Sequence, residues 1–239
     1  MSFVAHISEP EICVSGIAVH GCALDDDRDV PLSVARDLLS EDERARAARF
    51  HFARDADRFV RGRAFLRRAL ANATGIMPGA ISFAYGDRLK PELAGGSVAF
   101  NKSDSRDLAV VAVSHVGPVG IDLEFLDREL DHLSVARSCM TEHEREVLSA
   151  LDPAARAVRF FEFWTAKEAF MKLTGQGMYL DPKGIHLVLA DDGSPIGFPD
   201  YDGHTVRLDR VDLDRPATIC TLASLDATAD SRRDAHGPD

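Results

Sequence analysis

Asp122 and Glu124 stand two residues apart in Gly120-Ile121-Asp122-Leu123-Glu124. The run Val119 to Leu123 reads as a short buried strand. Alternate strand residues face one side, so the two carboxylates would point together. Such a pair repels unless a cation or a proton sits between its members. Oxygen ligands of this kind suit Mg²⁺, which takes carboxylates, waters and substrate phosphate oxygens. Two solvated acids at a strand edge have the same spacing, and Asp-x-Glu alone does not choose between the two readings. Further on, Phe163-Trp164-Thr165-Ala166-Lys167-Glu168-Ala169-Phe170-Met171-Lys172 puts Glu168 and Lys172 four apart, on one face of a helix. Such a pair is usually a surface ion pair. Here Phe163, Trp164 and Phe170 imply a helix that is partly buried, and a buried carboxylate needs a partner. A third acid aimed at Asp122 and Glu124 is then a natural expectation.

The elements that must position these residues come from a weak internal repeat. Leu39-Ser40-Glu41-Asp42-Glu43-Arg44 matches Met140-Thr141-Glu142-His143-Glu144-Arg145 in pattern. Each reads as a capping box, with Ser40 or Thr141 as the cap and Glu43 or Glu144 returning the bond. Each is followed by a longer apolar-periodic segment, Asp57 to Ala71 and Arg159 to Leu173, and then by a turn signal, Thr74-Gly75 and Thr174-Gly175. Strand-like runs close each half: Ala80 to Tyr85, Ser97 to Phe100 and Leu108 to Val113, then Ile185 to Leu189, Thr205 to Leu208 and Thr218 to Ala223. The order helix, helix, strands occurs twice. The expected architecture is α+β, a pseudo-dimer of two similar subdomains with a ligand cleft between them. The expected bounds are 1–116, 117–225 and a disordered polar tail at 226–239.

Composition narrows the classes of function. The chain has 239 residues and a formal net charge of −11, against the basic balance usual in a nucleic-acid binder. No apolar run approaches the roughly 18 residues needed to span a bilayer, and the first ten residues lack a signal-peptide pattern. A cytoplasmic protein with neither nucleic-acid nor membrane partner is the expectation. Cys13, Cys22, Cys139 and Cys220 are scattered without metal-ligand spacing, and read as small hydrophobes. Nine arginines fall between Arg44 and Arg68. They suit either a local anion site or a solvated helix face paired to its own acids.

Gly120–Glu124 followed about forty residues later by Trp164-Thr165-Ala166-Lys167-Glu168-Ala169 with Lys172 resembles the paired signature of the Sfp-type 4′-phosphopantetheinyl transferases. The resemblance covers about Leu39 to Leu189. It implies Mg²⁺-dependent transfer of 4′-phosphopantetheine from coenzyme A to a serine of an apo acyl or peptidyl carrier protein, by a monomeric enzyme. It further implies that Asp122, Glu124 and Glu168 hold the metal, that Glu168 acts as general base, directly or through water, and that Lys172 assists the leaving adenosine 3′,5′-bisphosphate. Asp122, Glu168 and Lys172 are the catalytic set on this reading. Arg46, Arg58, Arg67, Lys90, Ser103, Asp104 and Lys167 fall where the family contacts or frames coenzyme A, with Lys167 orienting the site. Phe100-Asn101-Lys102-Ser103-Asp104-Ser105 departs from the family pattern at Asp104, where a histidine is usual. An aspartate beside a phosphate is unfavourable unless Lys102 offsets it. Leu89 replaces the usual glycine before Lys90-Pro91. Apolar residues near the helix starting at Met140, or in the loop around Met178-Tyr179, are docking candidates, and a core role fits them equally well. A scaffold without catalysis, or a hydrolase releasing phosphopantetheine without a carrier, would use the same residues.

Overall fold

The computed structural model describes residues 12–14, 16–85, 90–126 and 129–225. Leu89 and the tail from Asp226 lie outside them. The chain divides between Val116 and Gly117 into two compact units.

The first unit runs β1 (Ile12–Val14), β2 (Ile17–Ala23), α1 (Leu32–Leu38), α2 (Glu41–Ala47) and α3 (Ala53–Thr74). A single 3₁₀ turn (Pro78–Ala80) leads to β3 (Phe83–Tyr85), β4 (Pro91–Leu93), β5 (Ala99–Ser105) and β6 (Leu108–Ser114). Its main sheet is antiparallel, in the order β1-β2-β6-β5. The second unit runs β7 (Val119–Phe125), α4 (His132–Cys139), α5 (Glu142–Ala150) and α6 (Pro153–Leu173). Two 3₁₀ turns (Gly177–Tyr179 and Pro182–Gly184) precede β8 (Val188–Leu189), β9 (Pro195–Tyr201), β10 (His204–Arg210) and β11 (Thr218–Leu225). Its sheet is ordered β7-β11-β10-β9-β8.

The two units share one plan. A strand leads into two short helices and one long helix, and the last two strands return to pair in the order β2-β6-β5 or β7-β11-β10. The fold is α+β. Both predicted capping boxes are present: Ser40 caps Glu43 N while Glu43 returns to Ser40 N, and Thr141 and Glu144 do the same. The helix after each box is longer than the periodicity suggested, because α3 and α6 begin about five residues earlier, with Pro153 at the first position of α6. Gly75 ends α3 at φ +74°, a conformation glycine reaches without a Cβ penalty.

The opening strands of the first unit, β1 and β2, and the short helices α1 and α4 are not among the expected elements. α1 has no side-chain cap, and α4 is only eight residues long, so neither carries a strong local signal. β9 is also not among the expected strands, and it contains Pro195, Gly197 and Pro199, residue types unusual within a strand. Its ladder with β10 slips between Phe198 and Tyr201, where Pro199 falls, and bulged pairing tolerates such residues.

In the first unit, Phe65, Leu66, Ala69 and Leu70 of α3 pack with Val111 and Val113 of β6. In the second, α6 is buried on several sides. Phe160, Phe161 and Phe163 join Ala136 and Leu148, and further along Ala169 and Phe170 join Phe198 and Val206. Gly120 fixes how closely α6 lies on β7. A Cβ there would stand 1.9 Å from Ala169 O and 2.5 Å from Leu173 N. The helix backbone therefore rests directly on the strand, an approach that glycine alone permits.

Candidate active site

On β7 the residues Gly120, Asp122 and Glu124 share one face by strand alternation, and α6 lies against Gly120 on that face. Asp122 is buried and Glu124 half-buried. Lys172, one turn beyond Glu168 on α6, donates from Nζ to Asp122 Oδ1 at 2.6 Å and to Ile121 O at 3.3 Å. Glu168 is half-buried. Burial pushes its carboxyl above the ordinary glutamate range; Asp122 and Glu124 act in the same direction, and Lys172 opposes them. The four groups therefore form one electrostatic cluster, three carboxyls against one ammonium, all within the second unit. Among the described residues no three acidic, histidine or cysteine side chains converge closely enough to hold a metal ion. The donor set is nevertheless all oxygen and carries surplus negative charge, which suits Mg²⁺ in type and in charge.

Thr165, one turn before Glu168, shares a buried hydroxyl hydrogen bond of 2.7 Å with Thr221. Thr221 is the β11 residue opposite Asp122, so this bond ties α6 to the strand beside the acids. Cys220 is buried next to Thr221. Burial, followed by Asp122, pushes its thiol well above the usual range, so it stays neutral. Beyond Glu124 a pocket of about 390 Å³ opens, lined by Leu130, Val135, Phe160, Phe161 and Trp164.

The positions expected to meet coenzyme A lie apart from these in sequence, in the first unit. Arg46 is exposed, with its guanidinium 5.1 Å from the centre of the Phe59 ring. Arg58 forms a two-pronged bond with Asp25, at 2.5 and 2.6 Å. Lys90 is largely shielded from water, and burial brings its ammonium down to about 8. Ser103 is buried. Asp104 is exposed, and its carboxylate is paired with Lys102 on the same face of β5. The Lys102 head lies over α3 at Gly62, where an added Cβ would come within 3.4 Å of its Nζ.

Two residues of the expected coenzyme A set, Arg67 and Lys167, are buried within the protein. Arg67 is 2 % exposed and donates to Glu43 Oε2, Pro78 O and Ile81 O. Lys167 is 0 % exposed and donates to Glu144 Oε2 at 2.6 Å, Pro182 O at 2.8 Å and Cys139 O at 3.3 Å. Burial lowers its ammonium pKa and Glu144 opposes that shift. All of these bonds are made inside their own units. The basic stretch as a whole is largely paired with the protein's own groups. Arg58, Arg61 and Arg68, spaced three and seven apart, meet Asp25, Asp27 and the Asp29 carbonyl. Arg63 and Arg67, four apart, both reach Glu43. The Asp25-Asp26-Asp27 run was the available signal for this, and the sequence reading passed over it. His115 is exposed. Met140 is buried and so offers no docking surface, whereas Tyr179 is 83 % exposed. Cys22, Cys139 and Cys220 are buried free thiols, while Cys13 is exposed. No helix among the described residues is long and apolar enough to cross a membrane.

A duplicated α+β chain that gathers three carboxyls and a lysine where a long helix rests on a strand defines a site suited to handling phosphate groups. Residues 118–220 match the family model of the 4′-phosphopantetheinyl transferase superfamily, and residues 28–116 match that of the 4′-phosphopantetheinyl transferase N-terminal region. The chain is 41% identical over 157 residues to the 4′-phosphopantetheinyl transferase HetI of Nostoc sp.; the match covers 63% of this chain and 66% of that protein. It is 32% identical over 183 residues to a 4′-phosphopantetheinyl transferase of Bacillus subtilis, covering 74% of this chain and 80% of that one. A holo-(acyl-carrier-protein) synthase structure from Bacillus anthracis superposes at a TM-score of 0.39 with 25% identity, over 45% of this chain and 94% of that chain. The chain belongs to the 4′-phosphopantetheinyl transferase superfamily.

Proposed function

We propose that this protein transfers the 4′-phosphopantetheine arm of coenzyme A to a serine of an apo acyl or peptidyl carrier protein and releases adenosine 3′,5′-bisphosphate. The observation that carries the reading is the cluster of Asp122, Glu124, Glu168 and Lys172, held where α6 rests on Gly120, in a chain of this superfamily.

The carrier serine Oγ attacks the phosphorus that bears the pantetheine, and the bond from that phosphorus to the bridging oxygen breaks. Glu168 is the general base for the serine proton. Burial, with Asp122 beside it, raises its carboxyl pKa, which makes it a stronger base than an ordinary glutamate. Lys172, anchored on Asp122, supplies positive charge and a proton to the departing phosphate. Asp122, Glu124 and Glu168 would hold Mg²⁺, which when bound offsets negative charge on the pyrophosphate. Arg46, Arg58, Lys90 and Ser103 are the proposed contacts to coenzyme A, and Arg58 must exchange Asp25 for a phosphate to serve. The apolar pocket beside Glu124 suits the carrier segment next to the reacting serine. We further propose that the enzyme acts as a monomer, in the cytoplasm.

The test is the intact mass of an apo carrier protein incubated with the enzyme, coenzyme A and Mg²⁺, with a chelator control. A gain of one phosphopantetheine arm that the chelator abolishes supports both the transfer and the metal. Release of free phosphopantetheine without a carrier favours the hydrolase reading. Binding of coenzyme A without transfer to any of a panel of acyl and peptidyl carriers favours the scaffold.

A further inference from the structure

The buried lysine beside Glu168 has a twin. Arg67 lies fourteen residues into α3 from Ala53, and Lys167 lies fourteen residues into α6 from Pro153. Each donates to the glutamate of the capping box on the preceding short helix, Glu43 or Glu144. Each also reaches the carbonyl of the proline that opens a 3₁₀ turn, Pro78 or Pro182. The same clamp is thus built twice, from different cations and different surrounding sequence. In the first unit the next residue along the helix is Arg68, which bonds the Asp29 carbonyl. In the second it is Glu168.

We propose that the Lys167–Glu144 pair is a positioning device for Glu168, and that Lys167 itself touches no substrate. This rests on the transferase reading above. Successive helix residues point about 100° apart, so fixing the azimuth of Lys167 fixes that of Glu168. Three contacts act together along one stretch of α6. Thr165 bonds Thr221, Lys167 bonds Glu144 and Pro182, and Ala169 O abuts Gly120. They lock the helix in rotation and height on β7, which leaves Glu168 and Lys172 turned to Asp122 and Glu124. Glu144 is held in its own turn, accepting from Thr141 N at 2.9 Å. A lone buried charge is costly and a matched neutral pair is not, so the clamp works as a unit.

The variants Glu144→Gln, Lys167→Met, Lys167→Arg and the double Glu144→Met/Lys167→Met decide the matter. For each, the readouts are thermal melting, kcat and KM for coenzyme A, and Mn²⁺ affinity from the free-ion EPR signal. Positioning predicts that Glu144→Gln and Lys167→Met each lower kcat by about tenfold or more and weaken Mn²⁺ binding, with KM for coenzyme A within about threefold. The double variant is then no worse than the poorer single one, and Lys167→Arg recovers part of the rate. Should a single variant fail to fold, the neutral double variant carries the test, with reduced kcat and weakened Mn²⁺ binding at near wild-type KM. The proposal is overturned if Glu144→Gln keeps wild-type kcat and Mn²⁺ affinity while Lys167→Met raises KM for coenzyme A. It is overturned equally if the folded double variant matches wild type in both kcat and Mn²⁺ affinity. Absence of transfer by the wild type would instead fail the reading of function, and Mn²⁺ affinity would still decide the clamp.

Discussion

Lys172 Nζ lies 2.6 Å from Asp122 Oδ1, across the contact between α6 and β7. The ammonium is about one quarter exposed and the carboxylate almost wholly buried, so the lysine presents its charge outward while Asp122 anchors it from within.

Replacing Lys172 with Met should therefore slow the chemical step by about 100-fold or more, with KM for coenzyme A changed by less than about threefold. Single-turnover transfer to an apo carrier separates the two quantities. A loss confined to KM would remove Lys172 from its leaving-group role and make it an affinity contact.

Glu168 gives a prediction with a definite sign. Its carboxyl pKa is raised by burial and by Asp122, so the folded protein holds the proton more tightly than the unfolded chain. That group favours folding fully below the unfolded pKa of about 4.3. The contribution is lost as pH rises through the folded value. Glu168→Gln should thus melt higher than wild type at pH 8 in the presence of a chelator, while losing transfer activity. The difference should vanish near pH 3, where the wild-type carboxyl is also neutral. In the wild type, the acid limb of kcat should fall above the ordinary glutamate range. Calorimetric melting across pH checks the first part, and a lower melting point for the variant at pH 8 would refute it.

Gly120→Ala should push α6 away from β7, because the new methyl would overlap Ala169 O. A destabilisation of about 1–3 kcal/mol is expected, measurable by urea unfolding, together with loss of transfer as Glu168 and Lys172 shift from Asp122. A variant with both stability and rate unchanged would show that the close helix-to-strand contact has no bearing on the site.

Asp104→Asn releases Lys102 from an ion pair whose carboxylate partner is exposed. Exposed pairs contribute little to stability, so melting should hardly move. If Lys102 faces the bound phosphates, the freed ammonium should lower KM for coenzyme A by about threefold. A raised KM would mean that Asp104 itself assists binding.

The sequence disclosed most where local chemistry carried the signal. Ser40/Glu43 and Thr141/Glu144 announced two helix starts, and alternation along Val119 to Leu123 aligned Asp122 with Glu124. Lys172 and Glu168 were visible as one helix face. What it hid was long-range partnership. Nothing at Lys167 reveals that Glu144, twenty-three positions away, will absorb its charge. Arg67 read as an anion contact for the same reason, since Pro78 and Ile81 offer backbone carbonyls, which leave no trace in residue type. The short helices α1 and α4 escaped notice because they are too short to show a full apolar period. Gly120 was legible as part of a motif, but its role was not, because the space it leaves is filled by a helix fifty residues further on.

The twin clamps have an evolutionary reading. Each fastening is made wholly within its own half of the chain, from a cap, a long helix and one turn. After a duplication, each copy would have kept a complete means of holding its helix, independent of what its sister did. One copy was then at liberty to carry Arg68 at the position where the other holds Glu168 beside its lysine. Divergence of chemistry would have required no change in the framework that supports it.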